Sequence, residues 1–129
     1  MTSHYFYCIV ANSFDATFTA LNRAFGNVYS SRFGKTLQSG VILGEQWYFR
    51  VTSDVAVLIL LKELSSAETE IEVVSCAGGA GYLAVSYSAH SSYVHKVRNF
   101  LIDSGFKIEN EREIPYYSDY VRKSHEKTL

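Results

Sequence analysis

The sequence predicts an α+β fold: a curved antiparallel sheet of about six strands in a meander, with two helices packed on one face. Three observations predict it. Two stretches, about 14–25 and 91–104, carry apolar residues at helical spacing, and each ends at a glycine, Gly26 or Gly105. Between them lies a run of strand-like segments rich in β-branched and aromatic residues. The breaks between those segments are short, and short turns join antiparallel neighbours, whereas a parallel return needs a long crossover. Helices with one apolar stripe each then bury it against the sheet.

Tyr5 to Val10 reads as the first strand. Ser13 is a good N-cap, and Phe14, Phe18, Leu21 and Phe25 repeat on one helical face up to Gly26, expected as a left-handed cap. Val28 to Leu37 reads as the next strand, with Gln38-Ser39-Gly40 as its turn. Val41 to Leu43 is short, and Gly44-Glu45 has the composition of a two-residue turn. Gln46 to Val51 alternates apolar and polar residues, and Ser53-Asp54 turns the chain into Val55 to Leu64, which is apolar until Lys62. After Ser65-Ser66, Thr69 to Cys76 sets Ile71 and Val73 opposite Glu70 and Glu72. Ala77-Gly78-Gly79-Ala80-Gly81 interrupts the pattern, and Tyr82 to Tyr87 resumes it as a strand. Val94, Val97 and Leu101 form the stripe of the second helix, and Phe106 to Ile108 reads as one more short strand. The sequence divides into one domain, 1–108, and a charged, tyrosine-rich arm or tail, 109–129.

Composition narrows the function classes. Of 129 residues, 47% are hydrophobic and 19% charged, enough apolar material for one core and too little charge for a disordered chain. The net charge is −1 and the basic residues are scattered, so clustered phosphate contacts are not expected and neither nucleic acid nor an anionic membrane is favoured. The longest strictly apolar run, Val55 to Leu61, is far too short to cross a bilayer. The start of the chain lacks the basic residues of a secretion signal, so a cytoplasmic protein with Cys8 and Cys76 reduced is expected.

Phe14-Asp15 at the start of a helix, then a strand meander, then Ser75-Cys76-Ala77-Gly78-Gly79-Ala80, then a strand and a C-terminal helix, resemble a family of small bacterial proteins of unknown function. The likeness covers roughly residues 13–104. Cys76-Ala77 stands where that family would have serine and glycine, and the tail from 109 is extra. No activity follows from the resemblance.

The glycine segment is the most distinctive candidate site. Gly78, Gly79 and Gly81 would let backbone N–H groups approach an anion, with Cys76 beside them as a thiol that a histidine such as His90 or His95 could activate. Phosphate cradles, however, run directly into a helix, and here strand-like Tyr82 to Tyr87 follows, with no Lys-Ser/Thr pair after the glycines. A glycine-rich turn or bulge is therefore the reading of this segment. The histidines, His4, His90, His95 and His125, lack helical i, i+4 pairing, and no Cys-x-x-Cys accompanies them. They are expected to be partly exposed, with no metal and no cofactor, and no residue stands out as catalytic.

The strands hold a stronger signal. Strand 5–10 is uncharged on both faces and strand 55–61 is apolar on both, whereas an antiparallel sheet open on one side alternates. Two helices cover one face only. The second face is thus expected to meet another subunit, by default in a homodimer, or an apolar small-molecule ligand. A non-enzymatic binding or oligomerisation module is the first reading. An anion- or nucleotide-binding protein or enzyme using the Gly78-Gly79 loop is the alternative, and single-stranded nucleic acid stacked on sheet aromatics is the third.

Overall fold

The computed structural model describes residues 2–48, 53–77 and 83–115. In chain order its elements are β1 (Thr2–Val10), α1 (Phe14–Phe25), β2 (Tyr29–Phe33), β3 (Ser39–Tyr48), β4 (Ser53–Ser65), β5 (Glu68–Ala77), α2 (Leu83–Asp103) and β6 (Ile108–Ile114). The six strands form one sheet in the order β2-β3-β4-β5-β1-β6, and every neighbouring pair is antiparallel. The sheet is open and curved. β2 to β5 are the expected meander. β1 then inserts between β5 and β6, so both helices are crossovers: α1 carries the chain from β1 to the far edge at β2, and α2 carries it from β5 over β1 to β6.

Both helices lie on the same face. α1 starts where Ser13 caps it, the Ser13 hydroxyl accepting from the Ala16 N–H at 3.2 Å. It buries Phe14, Thr17, Phe18, Leu21 and Phe25. α2 buries Tyr93, Val94, Val97 and Leu101. The sheet meets them with Phe6, Cys8 and Val10 from β1, Ile71 and Val73 from β5, alternate residues Val55 to Leu61 from β4, and Ile42 from β3, all in one cluster. These positions share a face because antiparallel partners do: Phe6 lies opposite Val73, Val73 opposite Ile59, and Ile59 opposite Ile42.

Four local expectations need correction. The first concerns Gly44-Glu45, which is not a turn, since β3 runs unbroken from Ser39 to Tyr48. Its glycines serve the helix instead. A Cβ on Gly44 would collide with the carbonyl oxygen of Phe25, and one on Gly40 would stand 2.8 Å from the ring of Phe18. Bare backbone at both positions is what lets α1 settle on the sheet. Second, β2 stops at Phe33 rather than Leu37, because Gly34 takes φ +99 and opens the connection to β3 there, and Ser39 and Gly40, expected in the turn, are already paired residues of β3. Third, residues 83–87 are helical, not a strand, and α2 begins at Leu83 rather than near 91. Leu83, Val85 and Tyr87 alternate over too few residues to separate the two periods. β5 already has a partner on each side, which leaves no place beside it for another strand. The fourth is Gly26, whose φ is −85 and therefore not left-handed; its N–H still donates to Asn22 O at 2.9 Å.

Gly105 does meet the expectation, with φ +88. Its N–H donates to Ile102 O at 3.0 Å and that of Phe106 to Leu101 O at 2.9 Å, the bond pair of a Schellman ending. The last strand is longer than expected, running to Ile114.

The two kinds of glycine should respond differently to alanine. At Gly105 nothing lies within 4 Å of an added Cβ, so Gly105→Ala should cost only the left-handed backbone penalty, about 1–2 kcal/mol. Gly44→Ala drives a methyl into the backbone of α1 and should cost more than that, with the helix end displaced. Urea unfolding of the two variants against wild type checks both the order and the size.

Candidate functional site

Two surfaces stand out: the sheet face away from the helices, and a groove between α2 and β6. On the sheet face β3 contributes Val41 and Leu43, β4 Leu58 and Leu60, and β5 Val74, all half-buried. β2 extends this surface to the sheet edge with Tyr29 and Phe33, which are 56% and 54% exposed. No helix among the described residues lies over it.

Toward β1 the same face turns polar in an ordered way. The Tyr5 hydroxyl donates to Glu72 Oε2 at 2.7 Å and the Tyr7 hydroxyl to Glu70 Oε2 at 2.9 Å, both diagonally across the β1–β5 ladder. The Arg112 guanidinium lies 5.5 Å from the centre of the Tyr7 ring. Burial, reinforced by the hydrogen bond to Glu70, pushes the Tyr7 phenol up to about 12; Tyr5, beside Glu72, is raised for the same reasons. Both phenols are therefore neutral donors at neutral pH.

The groove, of about 550 Å³, is lined by His95, Arg98 and Asn99 from α2 and by Glu111, Arg112 and Glu113 from β6, with Phe6 beneath. A bulge shapes it. Tyr7 pairs with Arg112 and Ile9 with Glu109, so Asn110 and Glu111 together stand opposite Cys8. Asn110 takes φ +54, a conformation asparagine tolerates better than most residues. The extra residue shifts the phase of β6, sending Arg112 to the Tyr7 side and Glu113 to the helix side. There Glu113 Oε1 is 2.5 Å from Nε2 of His4 and 2.7 Å from Nε2 of His95. The two imidazoles meet edge to face, their centres 5.9 Å apart. One turn along α2, Arg98 pairs with Glu111 at 2.5 Å. Burial of the Glu113 carboxyl opposes its ionisation, but the hydrogen bonds from His4 and His95 and their charge outweigh it and hold the group below its usual value.

This cluster corrects the expectation of four partly exposed histidines: His4 is 1% exposed, while His95 is open to solvent. Sequence spacing could not reveal it, because His4, His95 and Glu113 stand on three elements brought together by the β1–β6 pairing and by the packing of α2 on β1. The one available signal was the alternation of Glu109, Glu111 and Glu113, which marks a strand edge.

Of the residues singled out in the sequence, Gly78, Gly79 and Gly81 lie outside the described residues. Cys76 stands at the end of β5, paired in register with Ser3 and Ala56, and half-buried. Burial raises its thiol pKa, the reverse of what a nucleophile needs. Cys8 is fully buried under α2, and burial pushes its thiol up to about 12. Both thiols are unpaired. No described helix is long and apolar enough to cross a membrane. No family model, no curated protein and no solved structure matches the chain.

These environments set an order of thiol reactivity. In the native protein at neutral pH, Cys76 should label with a maleimide more slowly than a free cysteine, and Cys8 only when the protein unfolds. Mass spectrometry of timed labelling, with and without urea, checks this; rapid native labelling of Cys8 would contradict the packing described.

Proposed function

We propose that the protein is a non-enzymatic binding module that pairs with a second copy of itself through the open face of its sheet. The observation that carries this reading is the apolar surface running from Leu58 and Leu60 through Val41 and Leu43 to the exposed rings of Tyr29 and Phe33. An apolar surface of this extent on a small domain marks an interaction site. Its size suits a partner of the same size. Six strands at about 4.8 Å spacing span roughly 24 Å, and strands averaging about nine residues run about 30 Å, giving a face of roughly 700 Å². A stable interface buries about 800 Å² per partner. A two-fold axis, the commonest symmetry of soluble oligomers, would set this face against its own copy.

The chemistry of that face agrees with binding rather than catalysis. The Tyr5 and Tyr7 phenols are committed to Glu72 and Glu70, and the Cys76 thiol is held protonated by its burial.

Light scattering at micromolar concentration should give twice the 14.5 kDa chain mass. Leu58→Lys places a charge in the middle of the face and should yield a monomer with an unchanged far-UV circular dichroism spectrum. A wild-type protein that runs as a clean monomer would overturn the reading.

A further inference from the structure

The groove between α2 and β6 carries a second inference, independent of self-association. We propose that His4, His95 and Glu113 form a binding site for a divalent transition-metal ion of the zinc type. Their donor atoms lie within 4.8 Å of one another. Both imidazoles aim Nε2 at a single oxygen, Glu113 Oε1, so the three groups converge on a point rather than merely sharing a surface. Two imidazoles and a carboxylate suit zinc and its neighbours in the first transition row; magnesium and calcium take all-oxygen sets.

The spacing is that of the ion-free state. Bonds of 2.0–2.1 Å at tetrahedral angles hold donor atoms about 3.3 Å apart, against 2.5 and 2.7 Å for the present hydrogen bonds. The cluster must therefore open by somewhat more than half an ångström. Two of its members can do so: the side chains of His95 and Glu113 are 49% and 41% exposed. His4, at 1%, is held by the core and provides the fixed corner. The three ligands come from β1, α2 and β6, so the folded sheet assembles the site in advance. The side facing the groove stays open for a water or an anion as fourth ligand, as in zinc sites with three protein ligands. The neighbouring cation, Arg98, is already paired with Glu111, which reduces its repulsion of an incoming ion.

The test uses the full chain stripped of metal with a chelator. Zn(II) added in a calorimeter should bind saturably at one equivalent. Co(II) at the same site should give the visible absorption of a four- or five-coordinate nitrogen and oxygen set. His95→Ala removes a ligand from an exposed position and should leave the fold intact. Loss of a mere supporting partner weakens metal sites 10–100-fold, so loss of this ligand should weaken binding by about a hundredfold or more. Glu113→Gln should do the same and abolish the Co(II) spectrum. Circular dichroism on both variants separates lost binding from lost folding. No saturable one-equivalent binding by the wild-type chain, or binding that survives unchanged in a folded His95→Ala protein, would overturn the proposal.

Discussion

The hydrogen-bond ladders on the two sides of β1 fix most of what surrounds them. β5 occupies one side of this strand and β6 the other, so the chain can neither leave β1 by a tight turn nor pass from β5 to β6 by one. It must cross a face twice, and a crossover in a compact domain is economically made by a helix. Both crossings fall on one face, and the apolar side of β1 from Phe6 to Val10 becomes the floor on which α2 rests. A strand in that position has no solvent-facing edge, and an unpaired charge on its core side would be costly. Its composition, without Asp, Glu, Lys or Arg, follows from that place.

Much of this was legible in the residues. α1 showed both its cap at Ser13 and its stripe, and the alternation of β5 gave the correct faces for Ile71 and Val73 against Glu70 and Glu72. Local chemistry determined those features, so a local reading found them. The failures share another cause. Gly44 looked like turn chemistry, but its missing side chain answers to the end of α1, nineteen positions earlier in the chain. Residues 83–87 fit either period, and only the occupied flanks of β5 decide between them. The meeting of His4 with Glu113 depends on a strand pairing across nearly the whole sequence. A reader of the sequence sees the residues of each contact but not the partner that gives them meaning.

The bulge at Asn110 illustrates how little separates one arrangement from another. Side chains on a strand alternate strictly, so a single inserted residue exchanges the two faces from that point onward. Glu109, before the insertion, shares the face of Ile9. Glu113, beyond it, faces the helices instead. The acidic strand is thereby divided between two environments, and the part beyond the bulge supplies both Glu111 for Arg98 and Glu113 for the histidines.

The two edges of the sheet are chemically unlike, and this bears on how an assembly of such molecules could grow. β6 presents four consecutive exposed residues, Asn110 to Glu113, three of them charged. β2 is short and flanked by the rings of Tyr29 and Phe33. Extending the sheet from molecule to molecule would require the β2 edge of one to zip onto the β6 edge of the next, setting a short strand whose one cation, Arg32, is already paired with Asp15 against a run of charged groups that must be stripped of water. Such a head-to-tail contact is the kind that propagates without limit. The charged edge opposes that route, because each added strand would have to desolvate it.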